Sequence, residues 1–379
     1  MIDSVHIQDF KAHSDTKLPL GRLTMLVGDN ASGKTSVLEA LWLMAALAKV
    51  PLEELRSSFW PGDLLRRGGA GTISLVAQGT RSVRPGLFGL LVAGARSVRE
   101  SWRDTVRIKQ VPEADNWRFE LVDAEPVGLS LQAEIQGEVH RNHDGRSAPQ
   151  WSRIAKTVGM AGLYSLRASQ VSAAAQATIP DVKVERDGAG TAAVLASLKL
   201  GADEVFDRIE VDLRQLVPSV RRLRIRQEPT YVGGGPLGHK IYFDFVGAPG
   251  IPAHGASQGT LLVLSLLTIL HGPNRPNLIL LDDFDHALHP RAQMELMRML
   301  KALLALPEFA ELQIVATTHS PYTLDELEPK DVHAFALRDD GTVASKCLSQ
   351  HPDAAKTQGV LRAGQLWSLD PEKSWVLGG

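Results

Sequence analysis

The chain carries a single cysteine, Cys347, in 379 residues. One thiol excludes an intrachain disulfide framework and a cysteine zinc cluster, and it fits a reducing, cytoplasmic setting. Cys347 itself reads as a packing residue. An excess of charge is also missing. The formal net charge is −2, so no global field draws in nucleic acid, and any such surface has to be a local patch. The longest apolar runs are interrupted well short of the roughly 20 residues that span a bilayer. The N-terminus begins as an alternating strand with no apolar signal core, so neither secretion nor a membrane partner is expected. There is no internal repeat and no sustained heptad pattern, which argues against a long coiled-coil arm. What is present is ordinary globular composition, 44% hydrophobic and 22% charged, enough for one large domain or two ordinary ones.

The strongest signal is Gly28-Asp29-Asn30-Ala31-Ser32-Gly33-Lys34-Thr35, a G-x-x-x-x-G-K-T phosphate-binding loop. Its flanks carry the weight. Leu23 to Val27 is short, apolar and partly β-branched, as a buried strand should be, and Ser36 to Met44 is free of Gly and Pro and reads as a helix. Strand, glycine loop and helix form the context that this motif requires. The glycines let backbone N–H groups turn inward around a phosphate, and the helix N-terminus adds partial positive charge. Lys34 is expected on the β- and γ-phosphates and the Thr35 hydroxyl on Mg²⁺.

Ahead of the loop, Val5 to Phe10 alternates as a half-buried strand, and a second extended stretch runs through Leu18 and Leu20 to a turn at Gly21-Arg22. A hairpin entering the loop strand so early leaves no room for an upstream domain. The loop helix runs to about Val50. Thr72 to Ala77, Val106 to Lys109, Trp117 to Leu121 and Leu129 to Ile135 read as antiparallel strands, with a turn at Asn142 to Gly145. Val171 to Thr178 reads as a mobile loop. Helices follow at Gly190 to Leu200 and Ala202 to Leu216, then a strand at Val220 to Arg226. Tyr231 to Gly238 is a glycine-rich turn, and Ile241 to Phe245 is the return strand. On the strand Arg221 to Arg226, Arg222, Arg224 and Arg226 share one face. They could grip nucleic-acid phosphates, but a solvated sheet face is the stronger reading.

The remaining chemistry sits near the end. Ala256-Ser257-Gln258-Gly259-Thr260 opens an apolar helix, a second anion-binding end. Leu278 to Leu281 is a buried strand that delivers Asp282 and Asp283 at its carboxyl end. Two adjacent acids there are costly unless a cation joins them, so Mg²⁺ is the preferred reading. His286 and His289 belong to the following loop, and without a cysteine pair or carboxylate cage they do not suggest zinc. Pro290 to Leu306 is a helix. Gln313 to Thr317 is the next core strand, ending in Thr318-His319-Ser320-Pro321. Val332 to Leu337 and Thr342 to Leu348 form a hairpin, and the tail with Trp367 and Trp375 packs on the body. His319 alone would most simply be a capped core histidine.

The order of these motifs resembles ABC-type ATPases, nearest to the RecF/SMC-like and OLD-like group, the AAA family in its ABC-like branch. Ile7 to Lys11 and Leu26 to Leu41 resemble the family's opening. Asp187 to Leu198 and Leu213 to Pro218 resemble its middle, and Ala256 to Leu270, Leu278 to Pro290 and Thr317 to Asp325 its end. Gly364 to Trp367 resembles the tail of compact members. The resemblance implies an α/β P-loop NTPase head of ABC type, with a mixed core sheet, an antiparallel β subdomain and an inserted helical subdomain. Within one head it implies lobes at 1–150, 151–255 and 256–379.

It also implies roles. Gly28, Asn30, Ala31, Ser32, Gly33, Lys34, Thr35 and Ser36 would cradle ATP. Ser257 and Gly259 would touch the γ-phosphate of ATP held by a second subunit, closing a head-to-tail homodimer. Asp282 with Thr35 would hold Mg²⁺, Asp283 would polarise the attacking water, and His319 would be the switch histidine. Gln78 is a weak candidate for the glutamine that contacts Mg²⁺. The usual catalytic Glu is Asp283 here, the usual following Pro is Phe284, and Asp285 replaces another usual Glu. These departures point to slow hydrolysis. The implied function is a DNA-linked ATPase in genome defence or repair, with an effector such as a nuclease in a separate protein. The alternative is a nucleotide-gated scaffold that holds a partner. A transporter subunit fits poorly, because the spacing from P-loop to signature is too long.

Overall fold

The computed structural model describes residues 1–47, 64–66, 68–69, 71–83, 98–113, 116–121, 161–176, 182–231 and 234–378. The chain opens with β1 (Ile2–Phe10), β2 (His13–Pro19), β3 (Leu23–Gly28) and α1 (Lys34–Leu47). β4 (Thr72–Val83), β5 (Val98–Glu113) and β6 (Asn116–Leu121) follow. These three join the first hairpin in a five-stranded antiparallel sheet of order β2-β1-β4-β5-β6. Ile7 faces Leu75 across β1 and β4, and Leu75 faces Val106 across β4 and β5. The row is buried together with Val37, Leu38 and Leu41 of α1. The period-2 alternation of β1 thus seats its apolar side in the α1 core and turns the other side to solvent.

The middle of the chain supplies β7 (Ala161–Tyr164), α2 (Ala168–Val171), α3 (Thr191–Gly201) and α4 (Asp203–Leu216). A three-stranded antiparallel sheet follows, made of β8 (Val220–Tyr231), β9 (Gly234–Phe245) and β10 (Ala248–Pro252). α4 buries Phe206, Ile209, Leu213 and Leu216 along one stripe, which is helical spacing, and its first turn carries Asp203 and Glu204 where the helix dipole favours acids. Then come α5 (Gln258–His271), β11 (Leu278–Leu281), α6 (Pro290–Ala305), β12 (Gln313–Thr317), α7 (Pro321–Leu324), β13 (Val332–Leu337) and β14 (Val343–Cys347). The tail forms α8 (Ala363–Trp367) and a π-helical turn, Lys373–Leu377.

The core is a six-stranded mixed sheet of order β14-β13-β3-β12-β11-β7. β13, β3, β12, β11 and β7 run parallel, and β14 is antiparallel to β13. Every residue of β3, β11 and β12 is buried, as continuous apolar runs demand in parallel strands covered on both faces. One face packs on α1, the other on α5, α6 and their neighbours. Because β3, β11 and β12 are parallel, their carboxyl ends meet at one edge. That edge receives the phosphate-binding loop, Asp282-Asp283 and Thr318-His319.

Several expectations are revised. β7 carries no signal that marks it in advance, yet it is a core strand beside β11. The expected mobile loop at Val171 to Thr178 begins inside α2, and Ala175 is pinned by paired backbone bonds to His239 at 3.0 and 2.8 Å. The glycine-rich turn is tighter than expected, since β9 already starts at Gly234. Leu129 to Ile135, Asn142 to Gly145 and the last turn of the loop helix lie outside the described residues. Among the described residues no helix is long and apolar enough to cross a membrane.

Candidate functional site

The phosphate loop leaves β3 through glycines that nothing else can replace. Gly28 has φ +138° and Gly33 φ +94°. A Cβ at Gly28 would stand 2.3 Å from the carbonyl oxygen of Phe335, and one at Gly33 2.8 Å from Val343 and 2.9 Å from His13 Nε2. Asp29, Asn30 and Ala31 are exposed, Ser32 is buried, and Thr35 and Ser36 are partly covered at the start of α1. Lys34 is buried and folded over its own loop, with Nζ donating to Gly28 O at 2.8 Å and to Asp29 O at 2.7 Å. Burial lowers its pKa, while Asp282, Glu372, Asp283 and Asp29 pull it back up.

His13, from β2, supports the loop from beneath. It is fully buried, and burial drives its pKa down to about 4, so it is neutral. Gly33 O can only accept, so Nε2–H donates to it at 3.0 Å and Nδ1 accepts from the Thr16 hydroxyl at 2.9 Å.

The acidic pair joins this loop through hydroxyls. Thr35 Oγ1 donates to Asp282 Oδ1 at 2.9 Å, and Thr317 Oγ1 donates to the same oxygen at 2.8 Å. Thr317 Oγ1 in turn accepts the Asp283 N–H at 2.7 Å. Asp283 is exposed and sits at φ 49°, the left-handed region that a non-glycine residue enters at a cost of about 1–2 kcal/mol. Thr317 is thus the post on which both acids hang. Nothing in the sequence marked it beyond its place at the end of a core strand. Hydroxyl and carboxylate oxygens at this spacing, next to a lysine and a glycine loop that opens a helix, are the hard donor set that suits Mg²⁺ and a polyphosphate.

A second cluster ties the following loops together. Asp285 is buried and accepts from Thr318 Oγ1 at 2.6 Å and from the Thr323 hydroxyl. Its carboxyl pKa is raised by burial, against the pull of those two hydroxyls. Gln293 of α6 donates to Asp285 O at 3.0 Å and accepts from Ser320 Oγ at 2.6 Å. His319 lies between Thr318 and Ser320, so its backbone is clamped on both sides while its side chain is exposed. Phe284, at the position of the usual proline, is buried in the core. His286 Nδ1 meets Asp283 O at 2.6 Å, and His289 accepts the Arg291 N–H as the cap of α6.

Ser257 and Gly259 stand apart. Ser257 caps α5, accepting the Thr260 N–H at 3.2 Å, and is exposed. Gly259 is buried, and a Cβ there would lie 2.8 Å from Ala287 O. Among the described residues no hydrogen bond or ion pair links either of them to the chain's own phosphate loop. Gln78 is in β4, opposite Ser4 and Arg103 of the antiparallel sheet, away from this cluster. The strand next to β11 is β7, which leads into Ser165-Leu166-Arg167. On β8, Arg224 pairs with Asp244 at 2.6 Å, and Arg226 stacks over Tyr242 at 4.4 Å. Of the three cations on that face, Arg224 is ion-paired and Arg226 lies over an aromatic ring.

Comparison with known proteins agrees with this architecture. Residues 163–325 match the family described as "AAA domain, putative AbiEii toxin, Type IV TA system", and residues 1–63 match "AAA ATPase domain". Among solved structures, the chain is similar to an Smc head bound to the C-terminal winged-helix domain of ScpA. Identity is 13%, TM-score 0.57, with 92% of this chain and 98% of that one covered. It is also similar to the Pyrococcus furiosus Smc head with an extended coiled coil bound to the C-terminal domain of ScpA. There identity is 13%, TM-score 0.52, with 94% and 98% covered. The fold is that of an SMC-head-like, ABC-type P-loop ATPase.

Proposed function

We propose that the protein binds ATP with Mg²⁺ and hydrolyses it, two chains closing head to tail around the nucleotides, in a DNA-linked process of defence or repair with an effector supplied in trans. The observation that carries this reading is the convergence of Lys34, Thr35, Asp282 and Asp283 at one sheet edge, with Thr35 Oγ1 2.9 Å from Asp282 Oδ1. Mg²⁺, when bound, would offset phosphate charge. Thr35 and Asp282 would hold the metal. Lys34 would leave the Gly28 and Asp29 carbonyls for phosphate oxygens, with backbone N–H groups of the loop as further donors. Asp283 would orient the attacking water, and His319 would contact the γ-phosphate. Ser257 is exposed at the start of α5, and among the described residues it makes no bond to the chain's own phosphate loop, which supports a role across an interface. The Smc heads bind a domain of ScpA, which supports a protein partner for this chain.

ATP turnover of the wild type and Asp283→Ala, with and without double-stranded DNA, tests the reading, with mass followed by light scattering in the same buffers. The expected result is a DNA-raised rate that Asp283→Ala abolishes and an ATP-dependent rise in mass. Negligible turnover, no DNA effect and an ATP-dependent assembly would replace it with the scaffold. No response to ATP at all would end both.

A further inference from the structure

The turn that follows β14 and the segment that follows α8 meet at a buried histidine. The His351 side chain is 0% exposed, and its ring lies edge-on to Trp375 with centroids 5.0 Å apart. Nδ1 accepts the Asp353 N–H at 3.2 Å, so the ring hydrogen sits on Nε2. That atom is buried and has no hydrogen-bond partner among the described residues. It faces Asp370 Oδ2 at 3.6 Å. A buried N–H left in this state is costly and asks for an explanation.

The separation supplies one. At 3.6 Å the pair is too far apart for an N–H···O bond, which closes at about 2.7–3.2 Å. Two ligands at about 2.0–2.2 Å from one tetrahedral zinc ion, by contrast, lie about 3.3–3.6 Å from each other. Asp353 completes the group: one ligand atom from each of His351, Asp353 and Asp370 lies within 4.8 Å of the other two. Asp353 is half-exposed and Asp370 exposed, so both carboxylates can turn inward, while the imidazole is fixed by packing. The Asp353 carboxylate is paired only with the exposed Lys356, at 2.9 Å, a contact that solvent replaces at little cost.

We propose that His351 Nε2 and the carboxylates of Asp353 and Asp370 form a zinc-class divalent metal site that staples the C-terminal tail to the body. One imidazole with two carboxylates is a borderline donor set that suits Zn²⁺ better than Mg²⁺. On binding, the ring hydrogen passes through solvent from Nε2 to Nδ1, and the Nε2 lone pair takes the metal. The bond from the Asp353 N–H is given up, which frees Asp353 to bring its carboxylate in. Asp370 comes from the segment between α8 and the buried Trp375, so the metal fixes that segment in place. The other end of α8 rests on α7, where the Gly364 N–H donates to Asp325 Oδ1 at 3.1 Å. The site is separate from the nucleotide reading and stands or falls without it.

Calorimetric titration of ZnCl₂ into the metal-stripped full chain, without nucleotide, tests this. Asp370→Asn, Asp353→Asn and Asp282→Asn are run beside the wild type, with melting curves in zinc and in chelator. The first two variants change partly exposed side chains, so the fold is kept, and circular dichroism checks it. Asp370→Asn and Asp353→Asn should each weaken one Zn²⁺ equivalent by at least about tenfold, the lower bound for disturbing even an outer partner of a zinc ligand. Asp282→Asn should retain that equivalent. Zinc should raise the melting temperature of the wild type and not that of Asp370→Asn. A wild type that binds no Zn²⁺ overturns the proposal, as does an equivalent lost in Asp282→Asn and kept in Asp370→Asn. A melting temperature that Asp370→Asn lowers equally in zinc and in chelator also overturns it, leaving a plain His351–Asp370 ion pair.

Discussion

Thr317→Val removes one oxygen atom at nearly constant volume, so it isolates a hydrogen-bonding effect from a cavity effect. Thr317 is 1% exposed. Its hydroxyl donates to Asp282 Oδ1 at 2.8 Å and accepts the Asp283 N–H at 2.7 Å. In the valine variant the Asp283 N–H loses its partner, which costs about 1 kcal/mol for this part-buried donor, the low end of the range for a buried one. The charge-assisted bond to Asp282 is worth a further ~1.5–3 kcal/mol, reduced because Thr35 still donates to the same oxygen. A net loss of about 2–4 kcal/mol follows. The functional effect is larger than the stability effect implies. The N–H bond holds Asp283 at φ 49°, and without it the residue relaxes toward ordinary backbone and its carboxylate moves. Each 1.4 kcal/mol of lost positioning is worth about tenfold in rate, so turnover should fall at least tenfold. Urea denaturation and steady-state ATP turnover measure the two effects, and Thr317→Ser should retain both properties. A valine variant within ~0.5 kcal/mol of wild type, a typical surface-substitution effect, with unchanged turnover would refute the post-like role of Thr317.

Three further outcomes are expected. Gly33→Ala places a Cβ 2.8 Å from Val343 and 2.9 Å from His13 at φ +94°, so the loop must distort. Nucleotide titration should show affinity lost, and a variant that binds normally would mean the loop is not rigid. His13 is neutral in the native state with a pKa of about 4 against 6.5 when unfolded. Between these values the unfolded chain binds more protons, so stability falls as pH drops from about 6.5 to about 4, by up to ~3 kcal/mol, and is unaffected above that window. His333 titrates with the same sign and also near 4, so the contribution of His13 is the difference between wild type and His13→Asn in denaturation curves taken across pH. Gly259→Ala meets Ala287 O at 2.8 Å and should push the start of α5 away from the loop after Asp283, lowering the melting temperature by a few degrees, as about 1 kcal/mol does in a chain of this size. An unshifted melting curve would mean that α5 yields freely.

The loop, its strand and its helix were legible in the sequence because each is a local signal: an apolar run, glycines at fixed spacing, a stretch free of Gly and Pro. Asp282 and Asp283 were legible for the same reason, since acids at the end of a buried run stand out. β7 was not. Ala161 to Tyr164 is four residues long and contains a glycine, and it becomes a strand only because β11 offers its edge. Thr317 and His13 were invisible for a different reason. Their importance lies in what they touch across the chain, Thr317 on Asp282 35 residues away and His13 on Gly33 20 residues away. No periodicity encodes such a contact. The Arg222–Arg226 face shows the opposite limit. Its three cations were legible, but Asp244, which pairs with Arg224, and Tyr242, under Arg226, arrive from β9, and only the folded sheet brings them there.

The strand that ends in the phosphate loop has a consequence for how the chain is made. β3 occupies residues 23–28, but its two neighbours are β12 and β13, at residues 313–317 and 332–337. At a synthesis rate of about 5–20 residues per second, roughly 15–60 s separate the emergence of β3 from that of its partners. Throughout that interval a strand with every residue apolar or small has both edges open, the condition under which strands pair with the wrong chain. α1 can shelter one face, but the edges close only once residues 313–337 have appeared. The phosphate loop therefore takes shape only after β12 and β13 emerge, and a ligand of that loop cannot rescue the nascent chain before then.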